Sequence, residues 1–183
     1  MPDPRSPMVM IVRHAEKPTT ANRQRGVRPD GDHDRHSLSV QGWTRAGALV
    51  GLFVPQHGEP KTGLRRPDAI YASGHADDGS RRPVQTVTPL AERLGQHIHR
   101  SRGLGDEEAL AAKLAVHDGA TLVAWHHEAI PDIARSLGAV DFPQEWPDDR
   151  FDVVWTFTRD DTGWRFAQVP QLLLAGDRPD PIG

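Results

Sequence analysis

Short apolar runs alternate along this chain with longer stretches whose apolar residues recur every three or four positions, and that alternation predicts strands and helices in turn. Residues 9–12, Val-Met-Ile-Val, are continuous and mostly β-branched, the pattern of a strand covered on both faces, and they deliver Arg13 and His14 at its C-terminal end. Residues 18–36 are polar, rich in Arg, Asp and Gly, and without a hydrophobic period; they read as a long loop over that end. Ser39 caps a helix that carries Ala46, Leu49, Val50 and Phe53. After a turn-rich connection over 55–67, a second strand is expected at 68–73. A helix follows over 82–94 through Val84, Val87, Leu90, Ala91 and Leu94, with Pro89 as its irregularity, and then a third strand over 96–99. Ala109, Leu110, Leu114 and Ala115 form a helical stripe within 106–116; residues 121–125 are a fourth strand that ends at His126; and a helix over 129–137 is stopped by Gly138.

The last third changes rhythm. Residues 151–157 and 164–169 are strand-like and flank Asp160-Asp-Thr-Gly163, which predicts a C-terminal β-hairpin with Gly163 supplying positive φ. The first eight residues, with Pro recurring and nothing alternating, are expected to be a flexible lead. The repeated passage from strand to helix predicts the α/β class: a three-layer α/β/α sandwich around a mostly parallel sheet, in one domain over residues 1–183.

Composition narrows the function classes. A chain of 183 residues with 37% hydrophobic content closes one sizeable core, to which five Trp add large buried surfaces. The absence of Cys removes disulfides, cysteine-based zinc sites and a cysteine nucleophile. A formal charge of -3 gives no general attraction to nucleic acid, and no apolar run approaches the length needed to cross a bilayer, so neither nucleic acid nor membrane is an expected partner and a cytoplasmic location is expected. Nothing in the pattern selects an oligomeric state.

The candidate chemistry collects at strand ends. Imidazole is a nucleophile, and guanidinium neutralises the oxygens of an incoming phosphoryl group, so Arg13-His14, Arg82 after the second strand and His126 after the fourth point to a phosphate pocket where ligands of open α/β sheets collect. Residues 12–18, Val-Arg-His-Ala-Glu-Lys-Pro, resemble the Arg-His-Gly/Ala signature of the histidine phosphatase (phosphoglycerate mutase-like) superfamily, especially the short phosphohistidine phosphatase-like branch whose signature continues as Glu-Lys-Pro. Three further blocks agree in order and spacing: Leu-Ser-Val-Gln-Gly-Trp-Thr-Arg-Ala at 38–46, Tyr-Ala-Ser at 71–73 with Arg-Pro-Val-Gln-Thr at 82–86, and Leu-Val-Ala-Trp-His at 122–126. Together they cover roughly residues 9 to 140.

The resemblance implies a phosphoglycerate mutase-like fold and in-line phosphoryl transfer to a nitrogen of His14, with Arg13, Arg82 and His126 holding the phosphoryl oxygens and no cofactor or metal. Hydrolysis of the phosphohistidine makes the protein a phosphatase acting on a phosphorylated small molecule or a phosphoprotein; return of the group to another oxygen makes it a mutase; and loss of turnover leaves a phosphate-binding regulatory protein. His127, beside His126, is the alternative pocket histidine if the strand runs one residue further, since adjacent strand side chains point oppositely. Glu108 is the expected acid for the leaving group. Asp106, which is also a natural N-cap, and Glu16 and Glu128 are further acid or orienting candidates. Lys17, Arg23, Arg25 and Arg28, with Arg35, His33 and His36, make the early loop basic, either as a solvated face or as substrate-recognising groups. His33 with His36, and His126 to Glu128, contain metal-ligand residue types without a strict zinc-hydrolase pattern.

Overall fold

The apolar run that opens the sequence is the axis of the sheet. In the computed structural model, which describes residues 6–21, 23–74 and 79–183, β1 (Met8–Arg13) pairs in parallel with β4 (Ala120–Trp125) on one side and antiparallel with β5 (Val153–Asp160) on the other. A strand enclosed by partners and layered on both faces has no polar side, which is why residues 8–12 do not alternate. The full order is β3-β2-β4-β1-β5-β6, with β2 (Ala69–Ala72), β3 (Ile98–His99) and β6 (Gly163–Pro170) completing six strands. Pairing is parallel from β3 to β1 and antiparallel from β1 to β6.

The period of two sorts the sheet into two cores. Met8, Met10 and Val12, with Ile70, Leu122 and Ala124, pack against α1 (Val40–Phe53) and α2 (Arg82–Leu94) through Leu49, Phe53, Val87 and Leu90. Val9, Ile11, Val123 and Trp125, with Trp155 and Phe157, pack against α3 (Glu107–Ala115) and α4 (Ile130–Ser136) through Leu110, Leu114, Ile130 and Ile133. This is the predicted three-layer sandwich. Most of the tryptophan surface lies in the second core, where Trp146 and Trp155 stand 4.9 Å apart between ring centroids.

Several boundaries differ from the pattern for local reasons. Met8 already belongs to β1, since its N–H donates to Gly119 O, so the expected lead is shorter than eight residues; its first five residues lie outside the described residues. The helix expected over 129–137 begins as a 3-10 turn, His127–Ala129, before α4, and Gly138 ends it at φ 77°. β5 starts at Val153, later than expected, which leaves Phe151 outside the sheet. The hairpin turn is the two residues between Asp160 and Gly163, which pair with each other. Pro89 sits inside α2 without ending it. Among the described residues, no helix is long and apolar enough to cross a membrane.

Candidate active site

Parallel pairing of β1, β2 and β4 brings their C-terminal ends together, and so sets His14, Ser73 and His126 along one sheet edge. The backbone after β1 is fixed residue by residue. His14 N–H donates to Trp125 O at 2.9 Å and Ala15 N–H donates to Thr86 Oγ1 at 2.8 Å. Glu16 O accepts from Ser39 N–H at 2.9 Å and from Ser39 Oγ at 3.1 Å. Ser39 Oγ also caps α1 at Gly42 N, so the start of α1 is docked directly on this turn. The approach is so close that a Cβ on Gly42 would sit 2.4 Å from Glu16 O.

His14 is only 3% exposed. Its Nδ1 lies 2.8 Å from Ala15 O; a carbonyl only accepts, so Nδ1 carries the proton and Nε2 is left with the lone pair. Burial pushes the imidazole pKa well below the ordinary value of 6.5, and although the Ala15 carbonyl acts the other way, the charges of Arg13, His126 and Arg82 add to the lowering. The ring is therefore neutral near pH 7. His126 stands edge-on to it with centroids 5.7 Å apart, and burial likewise lowers its pKa. The Phe151 ring lies 6.3 Å from the His14 ring on another side.

Arg13 is 1% exposed and closely held. Its Nη1 donates to Asp148 O at 2.6 Å and to Pro147 O and Arg150 O at 3.3 Å, Nη2 donates to Asp148 Oδ1 at 3.2 Å, and the guanidinium carbon sits 3.8 Å from the Phe151 ring centroid. Its buried Nε has no hydrogen-bond partner among the described residues. Arg82, half-buried at the start of α2, donates from Nη2 to Arg35 O at 2.8 Å and from Nε to Ser37 O at 3.3 Å. Desolvation lowers its pKa from the ordinary arginine value, yet it stays a cation. The block 82–86 is thus a clamp: Gln85 accepts from Leu38 N–H at 2.9 Å and donates to Ser37 Oγ at 2.9 Å, while Thr86 bridges Ala15 N–H and Arg82 O.

No family model and no curated protein matches this sequence. Solved structures do match it in shape. A protein histidine phosphatase, SixA, complexed with tungstate superposes with a TM-score of 0.60 at 18% identity, covering 90% of this chain and 97% of that one. The alpha-ribazole phosphatase from Shigella flexneri superposes at 0.55 with 14% identity, covering 87% and 94%. The chain has the histidine phosphatase fold. Within that fold the expected residues divide into those that meet at the sheet edge and those held elsewhere.

His14, Arg13, Arg82 and His126 share one electrostatic neighbourhood at the sheet edge. His127 turns away, with Nε2 3.4 Å from Asp148 Oδ1 and Nδ1 at ion-pair distance, but not in hydrogen-bond geometry, from Glu128. The histidine facing His14 is thus His126. Glu16 serves a different arginine from the ones expected: both its oxygens accept from Arg45 at 2.8–3.1 Å. Arg45 in turn donates to Asp177 at 2.7 and 3.0 Å and to Gln171 at 2.9 Å. Lys17 donates to Asp148 at 3.2 Å. Glu108, the expected acid, is exposed on α3, while its neighbour Glu107 is buried, accepting from Trp125 Nε1 at 3.0 Å and from Gly105 N–H, within electrostatic reach of His126. Asp106 occupies the N-cap position, but its side chain accepts from Gly103 N–H instead of capping the helix. Glu128 is exposed, as are Arg23, Arg25 and Arg28 on the early loop. Among the described residues no three His, Asp or Glu are arranged to hold a metal ion. His33 and His36 each bond an arginine instead.

Phe151, Asp148 and Arg45 were not singled out by the sequence, and Glu107 was passed over for its neighbour Glu108. For Glu107 a signal was present: it lies three, four and seven residues before Leu110, Ala111 and Leu114, inside the buried stripe of α3.

Proposed function

We propose that this protein is a histidine phosphatase that hydrolyses a phosphomonoester or phosphohistidine through a covalent intermediate on His14. The observation that carries the reading is the state of His14: buried, neutral, its Nδ1 proton fixed by Ala15 O, and therefore presenting Nε2 as a lone-pair nucleophile beside His126 and the cation of Arg82. The SixA structure with tungstate, a tetrahedral oxyanion, supports a phosphate role for the same fold.

In this reaction Nε2 attacks phosphorus in line with the leaving atom. The P–N bond forms as the bond to the leaving group breaks, and that group departs with the electron pair and takes up a proton. Water then attacks phosphorus, the P–N bond breaks, and neutral His14 and inorganic phosphate result. Arg82, His126 and the Nε and Nη2 groups of Arg13 stabilise the charge on the transferring oxygens, which is the largest part of catalysis in phosphoryl transfer. Good leaving groups, phosphohistidine among them, require little acid assistance. That suits a site whose buried carboxylate, Glu107, already accepts hydrogen bonds from Trp125 and Gly105.

The test is phosphate release from a panel of phosphomonoesters and phosphoramidates, without added metal, by wild type and His14→Ala. Wild type is expected to release phosphate with inhibition by tungstate, and the variant to lose at least about a thousand-fold in kcat/KM. Comparable turnover by a folded His14→Ala variant would sink the reading.

A further inference from the structure

Two hollows lined by residues of the segment after His14 differ in how their charges are paired. One, a cavity of about 590 Å³, is lined by Glu16, Lys17, Asp148, Asp149, Asp152 and Asp177, among others. Each of these carboxylates is paired with a cation: Glu16 and Asp177 with Arg45, Asp148 with Arg13 and Lys17, Asp149 with Arg178, and Asp152 with Arg150. The other, a groove of about 460 Å³, is lined by Pro18, Arg25, Gly26, His33, Asp34 and Arg35, with Gln24. Among its described lining residues the one carboxylate is Asp34, which has 8% side-chain exposure and lies 3.2 Å from Arg81 and 3.7 Å from Arg28. Arg25 and Arg35 have no carboxylate partner among the described residues; Arg25 Nη1 approaches His33 Nε2 at 3.4 Å and Arg35 Nε donates to His36 Nε2 at 2.9 Å. Two guanidinium groups therefore line this groove with no carboxylate paired to them among the described residues.

The groove is tied to the candidate site at two points. Pro18 closes the segment that begins with Arg13-His14, and the Arg35 carbonyl accepts from Arg82 Nη2 at 2.8 Å. We propose that this groove binds a second anionic group of the substrate, so that the preferred substrates are small phosphomonoesters bearing another phosphate or a comparable dianionic group. Guanidinium matches a phosphate in bidentate geometry, and the arginines of this groove, unlike the ion-paired charges of the cavity, are left to receive it. The inference rests on the phosphatase reading and names its substrate class.

The experiment measures kcat/KM for propyl phosphate and for 1,3-propanediol bisphosphate, with wild type, an Arg25→Gln/Arg35→Gln double variant and the matching Lys double variant. Wild type is expected to prefer the bisphosphate by about ten-fold or more, falling with added salt. The Gln variant is expected to bring the ratio to about two-fold, the statistical factor for two equivalent phosphates, and the Lys variant to keep part of the preference. A wild-type ratio near that factor, with monophosphate turnover present, overturns the second-anion site and leaves the phosphatase reading intact. So does a preference that survives in the Gln variant. Release from neither compound, with no phosphate on His14, overturns the phosphatase reading and this inference with it.

Discussion

Burial makes a charge on His14 costly, and neighbouring cations make it costlier, so the lone pair of its imidazole is kept from protonation by its surroundings. This has a consequence for stability. The folded pKa lies well below 6.5, so between that folded value and 6.5 the unfolded chain binds more protons than the folded one. Stability from this group is full above the ordinary histidine range and is lost as pH falls below it. His14→Gln is therefore expected to flatten the loss of denaturation midpoint between about pH 6.5 and pH 5; a slope equal to that of wild type would show that His14 is protonated in the folded protein as readily as in the unfolded. His14 and its three polar neighbours, Arg13, Arg82 and His126, were legible because each ends a strand or opens a helix in a recognisable block. Glu107 was harder to choose over Glu108, since composition treats adjacent glutamates alike and only the stripe of Leu110 and Leu114 separates the buried one from the exposed one. Phe151 and Asp148 were not legible, because they reach Arg13 from more than a hundred residues away and no local period announces such a contact.

The elements matter here chiefly as clamps on the turn after β1. Thr86 in the first turns of α2 accepts from Ala15 N–H and donates to Arg82 O, connecting the neighbour of His14 to the arginine expected on the phosphate. Thr86→Val keeps the shape and removes both bonds. It is expected to cost about 1–3 kcal/mol for the unpaired buried N–H, and to lower kcat more than it raises KM because the damage falls on the alignment of His14. Unfolding in urea together with steady-state kinetics checks both parts, and unchanged kcat would detach α2 from the chemistry. Helix and strand order was readable from the period, as was the hairpin from Asp160 and Gly163. Element ends were less so: β3 keeps only Ile98 and His99 because it is the sheet edge with pairing on one side, and the 3-10 turn at His127 reflects the sharp exit from β4 into α4.

Across the whole molecule, the segment after β6 is bound to the segment after β1. Arg45 on α1 lies between Glu16 and Asp177, with Gln171 as a further acceptor, and these charges are largely buried. Burial works against ionised Asp177, but hydrogen bonds from Arg45, Leu173 N–H and Leu174 N–H hold its pKa below 3.8. Its contribution is thus present above the ordinary carboxylate range and lost as pH falls through the lowered value. Arg45→Leu leaves two carboxylates without their cation and is expected to cost about 3–5 kcal/mol, seen as a lower denaturant midpoint. A loss below about 1 kcal/mol would show that solvent already screens the network. Sequence order gives no hint of this link, since its partners lie on α1, in the turn after β1 and beyond the last strand.

The most direct test of the account is to quench a reaction of wild type with a phosphorylated substrate at alkaline pH and map the bound phosphate by mass spectrometry. The account predicts an acid-labile, alkali-stable phosphate on His14 that is absent from His14→Ala. Phosphate on any other residue, or phosphate release with no modification at His14 under single-turnover conditions, would contradict it.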